Sequence, residues 1–349
     1  MTFLSDDELS GLGIEQSVFH IVGPSKEEHF KLLAAFDATD HAAFFLGRIR
    51  SIHGGNRYRF LADSPVRAQL SRIDARANAF QEESENLAIA FNEEHGGSTA
   101  IGAFLVFSLN CPTGRLFALM KFEDEKVLSY NFKAGVAKPA PTFDEIKQTF
   151  VQNRNALQKA ALIRLSSDGE SDVVYVTDRQ NPARPAAYFE RFLHVQRLRS
   201  EGELTRATMN VARKVVMKHR DKLPPDVVKT LSQRLYDAGE SGAELDGERA
   251  DAFLQTITGP LPDDSPIRKD FQAELRREGM AGESFKLVKG TVQKPRNRRV
   301  ETRSGIKVVF PSDLQASIIH IDEAKGEILI RDPITLNDVE LEPARRARA

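Results

Sequence analysis

The chain has no surplus of charge and almost no cysteine. Forty-nine Lys and Arg stand against fifty Asp and Glu, a formal net charge of −1, so the molecule as a whole exerts no long-range pull on a polyanion or an anionic membrane. Affinity for nucleic acid or lipid has to come from segregated charge. Cys111 is the only cysteine. That excludes an internal disulfide, and in an apolar run the residue reads as a buried small hydrophobe. Long hydrophobic runs are missing too. The most apolar segment, Thr99 to Cys111 (TAIGAFLVFSLNC), is too short to cross a bilayer, is closed by PTGR, and reads as a buried strand. The opening MTFLSDDELSG is acidic where a signal peptide would be basic and then apolar. A cytoplasmic protein with no membrane association is expected.

Motifs that carry chemistry are equally scarce. There is no Walker A sequence, no G-x-G-x-x-G and no H-E-x-x-H, and the histidines are scattered without metal-site spacing, so neither a cofactor nor a metal is expected. His95–Thr99 (HGGST) is similar to the glycine-rich oxyanion loop of esterases, but no G-x-S-x-G elbow supplies a nucleophile, and a turn into a strand is the simpler reading. Asp144-Glu145-Ile146-Lys147 contains the acid-x-Lys element of metal-dependent nucleases. It falls on an expected helix with no acidic partner upstream on a strand, so no catalytic residue is assigned.

What is present is a chain of 349 residues, 41% hydrophobic and 28% charged, long enough for two or three cores. Three regions emerge: an α/β mixed-sheet domain over 1–182, a helical region over 183–283, and a basic arm with a small sheet over 284–349. The class is α+β. In the first region SVFHIVG, AAFFLGRI and RYRFLA read as strands, the last two as a hairpin around Gly54-Gly55-Asn56. Ser64-Pro65 opens a helix, and Glu82–Glu94 spaces Leu87, Ala90 and Phe91 as another. Strands follow at GAFLVFSL, RLFALMKF and KVLSYNF, then a helix over Phe143–Leu157, then strands AALIRL and DVVYVTD.

Past NPARP, the segment AAYFERFLHV is helical in spacing, and helices are expected over Leu204–Arg220, Pro225–Asp237, Asp246–Ile257 and Ile267–Glu278. Strands resume with GIKVVFP and with the pair ASIIHID and GEILIRD, which read as a small terminal sheet with a hairpin; His320 is a strand residue. PARRARA closes the chain as a basic tail.

Charge is segregated in one place above all. Residues 286–307 hold eight Lys or Arg against the single acid Glu301, a local net charge of +7. Lys294, Arg296, Arg298, Arg299, Arg303 and Lys307 suit phosphate, the arginines by bidentate hydrogen bonds, while Pro295 and Asn297 favour an extended or turning connector. The alternative is a solvated linker. The stretch holds no aromatic residue, which disfavours base stacking and favours duplex phosphate contact.

A second surface lies on the helix after Leu204, where Arg206, Arg213, Lys214 and Lys218 turn away from Met209, Ala212, Val215 and Val216. Its alternative is an ordinary core-facing helix with a solvated polar face. Residues 237–251 carry six acids and one Arg. That run either neutralises a basic surface or holds an adjacent subunit's arm.

The order of segments resembles a known family. SENLAIAF before GAFLVF, then LFALMKFEDEK, QKAALIRL, VYVTD, AAYFERFLHV, LTRATMNVARKVV and SGIKVVFP, with polar or aromatic positions at Ser84, Asp178, Tyr188, Phe189, Phe192, Leu193 and Thr205, are similar to the bacterial nucleoid-associated 37-kilodalton family over residues 20–310. The resemblance implies an α+β protein of the bacterial nucleoid with double-stranded DNA as ligand and, for some members, topoisomerases as partners. It transfers no catalytic or base-reading residue.

The expectation is therefore a non-enzymatic, largely sequence-independent duplex-DNA-binding protein, dimeric because of its many helices with apolar faces. The alternatives are a nucleic-acid-processing enzyme or DNA-sensing component of an anti-phage system, and a protein-interaction adaptor.

Overall fold

The computed structural model describes residues 4–24, 29–95, 100–123, 125–131, 142–149, 157–166, 171–315, 317–322 and 324–333, with the side chains of 95, 123–149 and 313 outside the description. The chain divides into two compact units, Met1–Val292 and Gln293–Ala349.

The first unit begins with α1 (Asp6–Ser10), closed at its start by a Ser5–Glu8 capping box, and β1 (Gly13–Val22). Then come α2 (Ala42–Ile52), β2 (Asn56–Phe60), α3 (Pro65–Ala75) and α4 (Phe80–His95). Strands β3 (Gly102–Cys111), β4 (Gly114–Glu123), β5 (Glu125–Asn131), β6 (Thr142–Thr149), β7 (Leu157–Arg164) and β8 (Val173–Asp178) follow. Seven strands, including the short β9 (Val195–Arg197), form one sheet in the order β1-β3-β4-β7-β8-β2-β9, and every ladder in it is antiparallel.

Both faces of that sheet are buried. Alternate residues Phe104, Val106, Phe117 and Leu119 pack beneath α3, α4 and α5 (Ala187–Leu193), while Leu105, Phe107, Ala118 and Met120 pack beneath α2. This explains the near-continuous apolar runs of β3 and β4, because a strand covered on two sides has no polar face to show. Phe91 of α4 organises its side, stacked on Phe104 with centroids 4.5 Å apart and edge-on to Phe192 at 5.1 Å.

Ser64 caps α3 by accepting a hydrogen bond from the Arg67 N–H at 3.2 Å, as the Ser-Pro start predicts. Two expected elements are corrected. AAFFLGRI is helix α2, not a strand of a hairpin: Phe45, Ile49 and Ile52 recur at helical spacing and point into the core together. The helix expected over Phe143–Leu157 is instead strand β6, paired with β5, and β7 begins at Leu157; residues 150–156 lie outside the description, as do HGGST from residue 96 and the PARRARA tail.

The helical half holds α6 (Glu201–Lys218), α7 (Pro225–Lys229), α8 (Leu231–Glu240), α9 (Ala250–Thr258) and α10 (Pro266–Arg277), with a two-residue ladder between β10 (Glu244–Leu245) and β11 (Phe285–Lys286). The single helix expected over Pro225–Asp237 is broken at Thr230 into α7 and α8. Leu204, Val215, Leu235, Leu254 and Phe271 share one core. The apolar faces that suggested a dimer are thus covered within the chain. No described helix is long and apolar enough to cross a membrane.

The sheet half and the helical half meet backbone to backbone. A Cβ on Gly282 (φ 83°) would lie 2.4 Å from the Gly54 carbonyl oxygen, so only glycine permits the approach; within the helical half, a Cβ on Gly247 would lie 2.1 Å from the Gly282 oxygen. Across the same seam the Ser284 N–H donates to Asn56 Oδ1 at 2.7 Å, the Arg57 N–H donates to Glu283 Oε1 at 3.2 Å, and Arg197 pairs with buried Glu283 at 2.9 Å.

In the second unit, β12 (Asn297–Glu301) pairs with β13 (Lys307–Pro311) and β14 (Ile319–Asp322) with β15 (Glu327–Ile330). The expected β14–β15 hairpin is present, His320 lies on β14, and Gly326 makes the turn at φ 69°. The terminal sheet is two separate hairpins, and half of the expected basic connector is strand β12.

Candidate nucleic-acid interface

Antiparallel pairing sets what the basic arm can present. Along β12 the side chains of Asn297, Arg299 and Glu301 lie on the exposed face, while Arg298 and Val300 turn to the half-buried one. Arg298 is spent there, its guanidinium hydrogen-bonded to Gln315. Arg299 donates to Glu301 on the exposed face, and the Lys307 ammonium, cross-strand from Glu301, stands 4.0 Å from that carboxylate. The lone acid of the stretch therefore gathers two of its cations. Lys294, Arg296 and Arg303 remain exposed, with no ion pair among the described residues; Arg296 leads into β12 and Arg303 sits in the turn between the strands. The sequence grouped these cations by proximity. The hairpin sorts them by face.

On α6 the expected faces are present: Leu204, Thr208, Met209, Ala212, Val215 and Val216 are buried, and Arg206, Arg213, Lys214 and Lys218 are exposed. Three of the four cations are engaged. Lys214 reaches Glu274 at 2.7 Å and Lys218 reaches Asp270 at 2.5 Å, both on α10, and Arg213 donates to Ser232 of α8 at 3.1 Å. Hydrogen bonds from Lys218 and His219 hold the Asp270 carboxyl below its ordinary value, and Lys214 does the same for Glu274. The basic side of α6 is largely a helix-to-helix clamp, with Arg206 left toward solvent.

The acidic run is also largely used within the chain. Glu240 accepts the Gly290 N–H at 2.6 Å, Asp246 caps the Glu248 N–H at 2.9 Å, and Asp251 pairs with Arg268 at 2.9 Å. A groove of about 620 Å³ between α8, α9 and β10 is lined by buried Leu245, Phe253 and Leu287 together with Asp237, Glu244 and Asp246 and the cations Arg234 and Arg249. A smaller cavity of about 210 Å³ opens at the glycine seam, lined by Asn56, Asp178, Arg179, Arg249 and Ser284. Nothing in the sequence announced it, because its walls come from segments far apart along the chain.

The positions that carried the family resemblance are structural. Asp178, buried, accepts the backbone N–H groups of Gln180, Asn181 and Ala186 and faces the buried Lys159 ammonium at 3.4 Å. Ser84 joins His20 to the Gln81 carbonyl, and Thr205 donates to the Glu201 carbonyl and accepts the Val288 N–H. Cys111 is half-buried at the end of β3, its sulfur 3.7 Å from both Thr113 Oγ1 and Arg164 Nη2. Among the described residues no three His, Cys, Asp or Glu side chains gather to hold a metal ion.

A family model described as nucleoid-associated protein YejK matches residues 18–337. No curated protein matches the chain.

Proposed function

The chain belongs to the NA37 family of nucleoid-associated protein YejK, and from that premise we propose that it binds double-stranded DNA in the nucleoid, through phosphate contacts and with little regard to sequence. The observation that carries this reading is the set of exposed cations Lys294 and Arg296 before one hairpin strand and Arg303 after it, which have no ion pair among the described residues. Five strand residues separate Arg296 from the turn that holds Arg303, which is about 20 Å at ~3.4 Å per residue. That is the rise of about six nucleotides along one DNA strand. Contacts of this kind fix a protein on the backbone without reading bases, and guanidinium groups make them bidentately.

Anisotropy titrations across a salt series test the reading. Three neutralised phosphates per chain give a slope of log affinity against log salt of about −3, nearly the same for unrelated duplexes. Replacing Lys294, Arg296 and Arg303 with Ala should weaken binding and remove most of that slope while leaving the circular dichroism unchanged. A triple variant with the original affinity and slope would make the arm a solvated connector.

A second reading, a nucleic-acid-processing enzyme, has one observation behind it. The Asp144–Lys147 element runs along strand β6, which removes the objection that it lay on a helix. With magnesium or manganese the protein is expected to leave linear and supercoiled DNA uncut; cleavage abolished by Asp144→Ala or Glu145→Ala would move the function to this strand. Topoisomerase partnership, phage defence and an adaptor role are further settings for the same basic surface, distinguished by which partner co-purifies from cells with and without nuclease treatment.

A further inference from the structure

Exposed large apolar side chains gather in the second unit, where Ile306 and Val309 are each 61% exposed, Ile330 51% and Leu329 49%. The unit offers two-stranded hairpins, an arrangement that is marginal in water until further strands join it. Its backbone shows which edge is open. The Thr302 N–H donates to the Ile306 carbonyl at 2.9 Å and the Ser312 N–H to the Arg296 carbonyl at 2.8 Å. Because hydrogen-bonded and non-hydrogen-bonded pairs alternate in an antiparallel ladder, Val308 and Phe310 bond inward to β12. The N–H and C=O of Val309 therefore point out along the free side of β13, which has no second partner among the described strands.

We propose that this edge is a seam between two copies of the chain, with β13 pairing antiparallel to β13 of a second molecule about a two-fold axis at Val309. The register is self-complementary. Val309 meets Val309 and exchanges both backbone hydrogen bonds with it, Val308 meets Phe310 on the opposite face, and Lys307 meets Pro311, so no like charges are opposed. The missing N–H of Pro311 ends the seam. The result is a four-stranded sheet in which the two exposed Val309 side chains lie side by side on one face.

The other edge fits a second copy less well. A two-fold at Arg299 opposes two guanidinium groups, and one at Val300 sets Arg299 opposite Glu301, exchanging a pair each copy already makes for an equivalent one between copies, on a face of Asn297, Arg299 and Glu301 that has no apolar side chain to bury. Leaving β12 outermost also keeps Arg296 and Arg303 open on both copies.

The seam is tested without DNA, so its failure is separate from failure of the DNA reading. In the full chain carrying Cys111→Ser, the variant Val309→Cys should crosslink to a covalent dimer under copper–phenanthroline or a short bis-maleimide, since Cα atoms of such a pair lie about 5.5 Å apart. Ile306→Cys, equally exposed but about 20 Å from its counterpart across the seam, should stay monomeric. Light scattering on the unaltered chain should show a rise toward twice the monomer mass with concentration, and Val309→Lys, which sets two ammonium groups face to face, should raise the dimer dissociation constant about tenfold or more. The proposal is overturned by a monomer mass at all concentrations, by Val309→Cys crosslinking no faster than Ile306→Cys, or by Val300→Cys crosslinking in its place.

Discussion

His20 is held neutral inside the sheet half. Its Nδ1 accepts the Leu33 N–H at 3.1 Å, so the proton sits on Nε2, which faces Ser84 Oγ at 3.3 Å. Burial pushes the imidazole below its ordinary value, against the opposing charge of Glu85, and His53 is lowered by burial and by Arg57. The unfolded chain takes up these protons first as pH falls, so stability present above about pH 6.5 is lost progressively below it. Urea midpoints measured from pH 8 to pH 5 should fall, and His20→Gln should flatten part of that fall. A midpoint as pH-dependent in the variant as in the parent would exclude His20 as a source. His20→Ala should cost about 1–3 kcal/mol, the penalty for orphaning a buried donor. None of this was visible in the sequence, where His20 was one of eight scattered histidines: a hydrogen bond across 64 residues leaves no local pattern.

At the scale of elements, the charged clamp between α6 and α10 and the hairpin β12–β13 are both basic, yet they should answer differently to mutation. Lys214→Ala with Lys218→Ala removes cations already satisfied by Glu274 and Asp270. Exposed pairs of this kind contribute little, so the fold should persist. The DNA salt slope should change by less than about one unit. A larger loss would make α6 a principal DNA surface. Legibility also varied by element. α3 and α4 could be read from a Ser-Pro start and a regular apolar spacing. α2 was mistaken because a dense apolar run fits both periods, and β12 because charge hid its alternation: Arg298 and Val300 face one way, Asn297, Arg299 and Glu301 the other. In β12 the period of two was present, written in cations where a strand is usually written in valine.

For the whole molecule, the α+β order and the three-part succession of sheet, helices and terminal hairpins were legible because each half repeats its own period over many residues. The site was not legible to the same depth. Asp178, Ser84 and Thr205 marked the family yet serve the fold, tying loops and helices by buried hydrogen bonds. Phosphate contact, by contrast, asks only for exposed cations, which any solvated surface also carries.

The glycine seam between the two halves has a thermodynamic counterpart. With Gly282 against Gly54, the Ser284 N–H on Asn56, and Glu283 taken up by Arg57 and Arg197, neither core can loosen without stripping polar groups from the other. Calorimetry should record the sheet and helical cores as a single peak with equal calorimetric and van't Hoff enthalpies. Gly282→Ala, which forces a Cβ into the Gly54 carbonyl at a left-handed φ, should split that peak in two. Two peaks in the unaltered chain would show the cores to be independent. If there is one, heat and denaturant meet a single cooperative body of nearly three hundred residues, fused at a contact where no side chain fits.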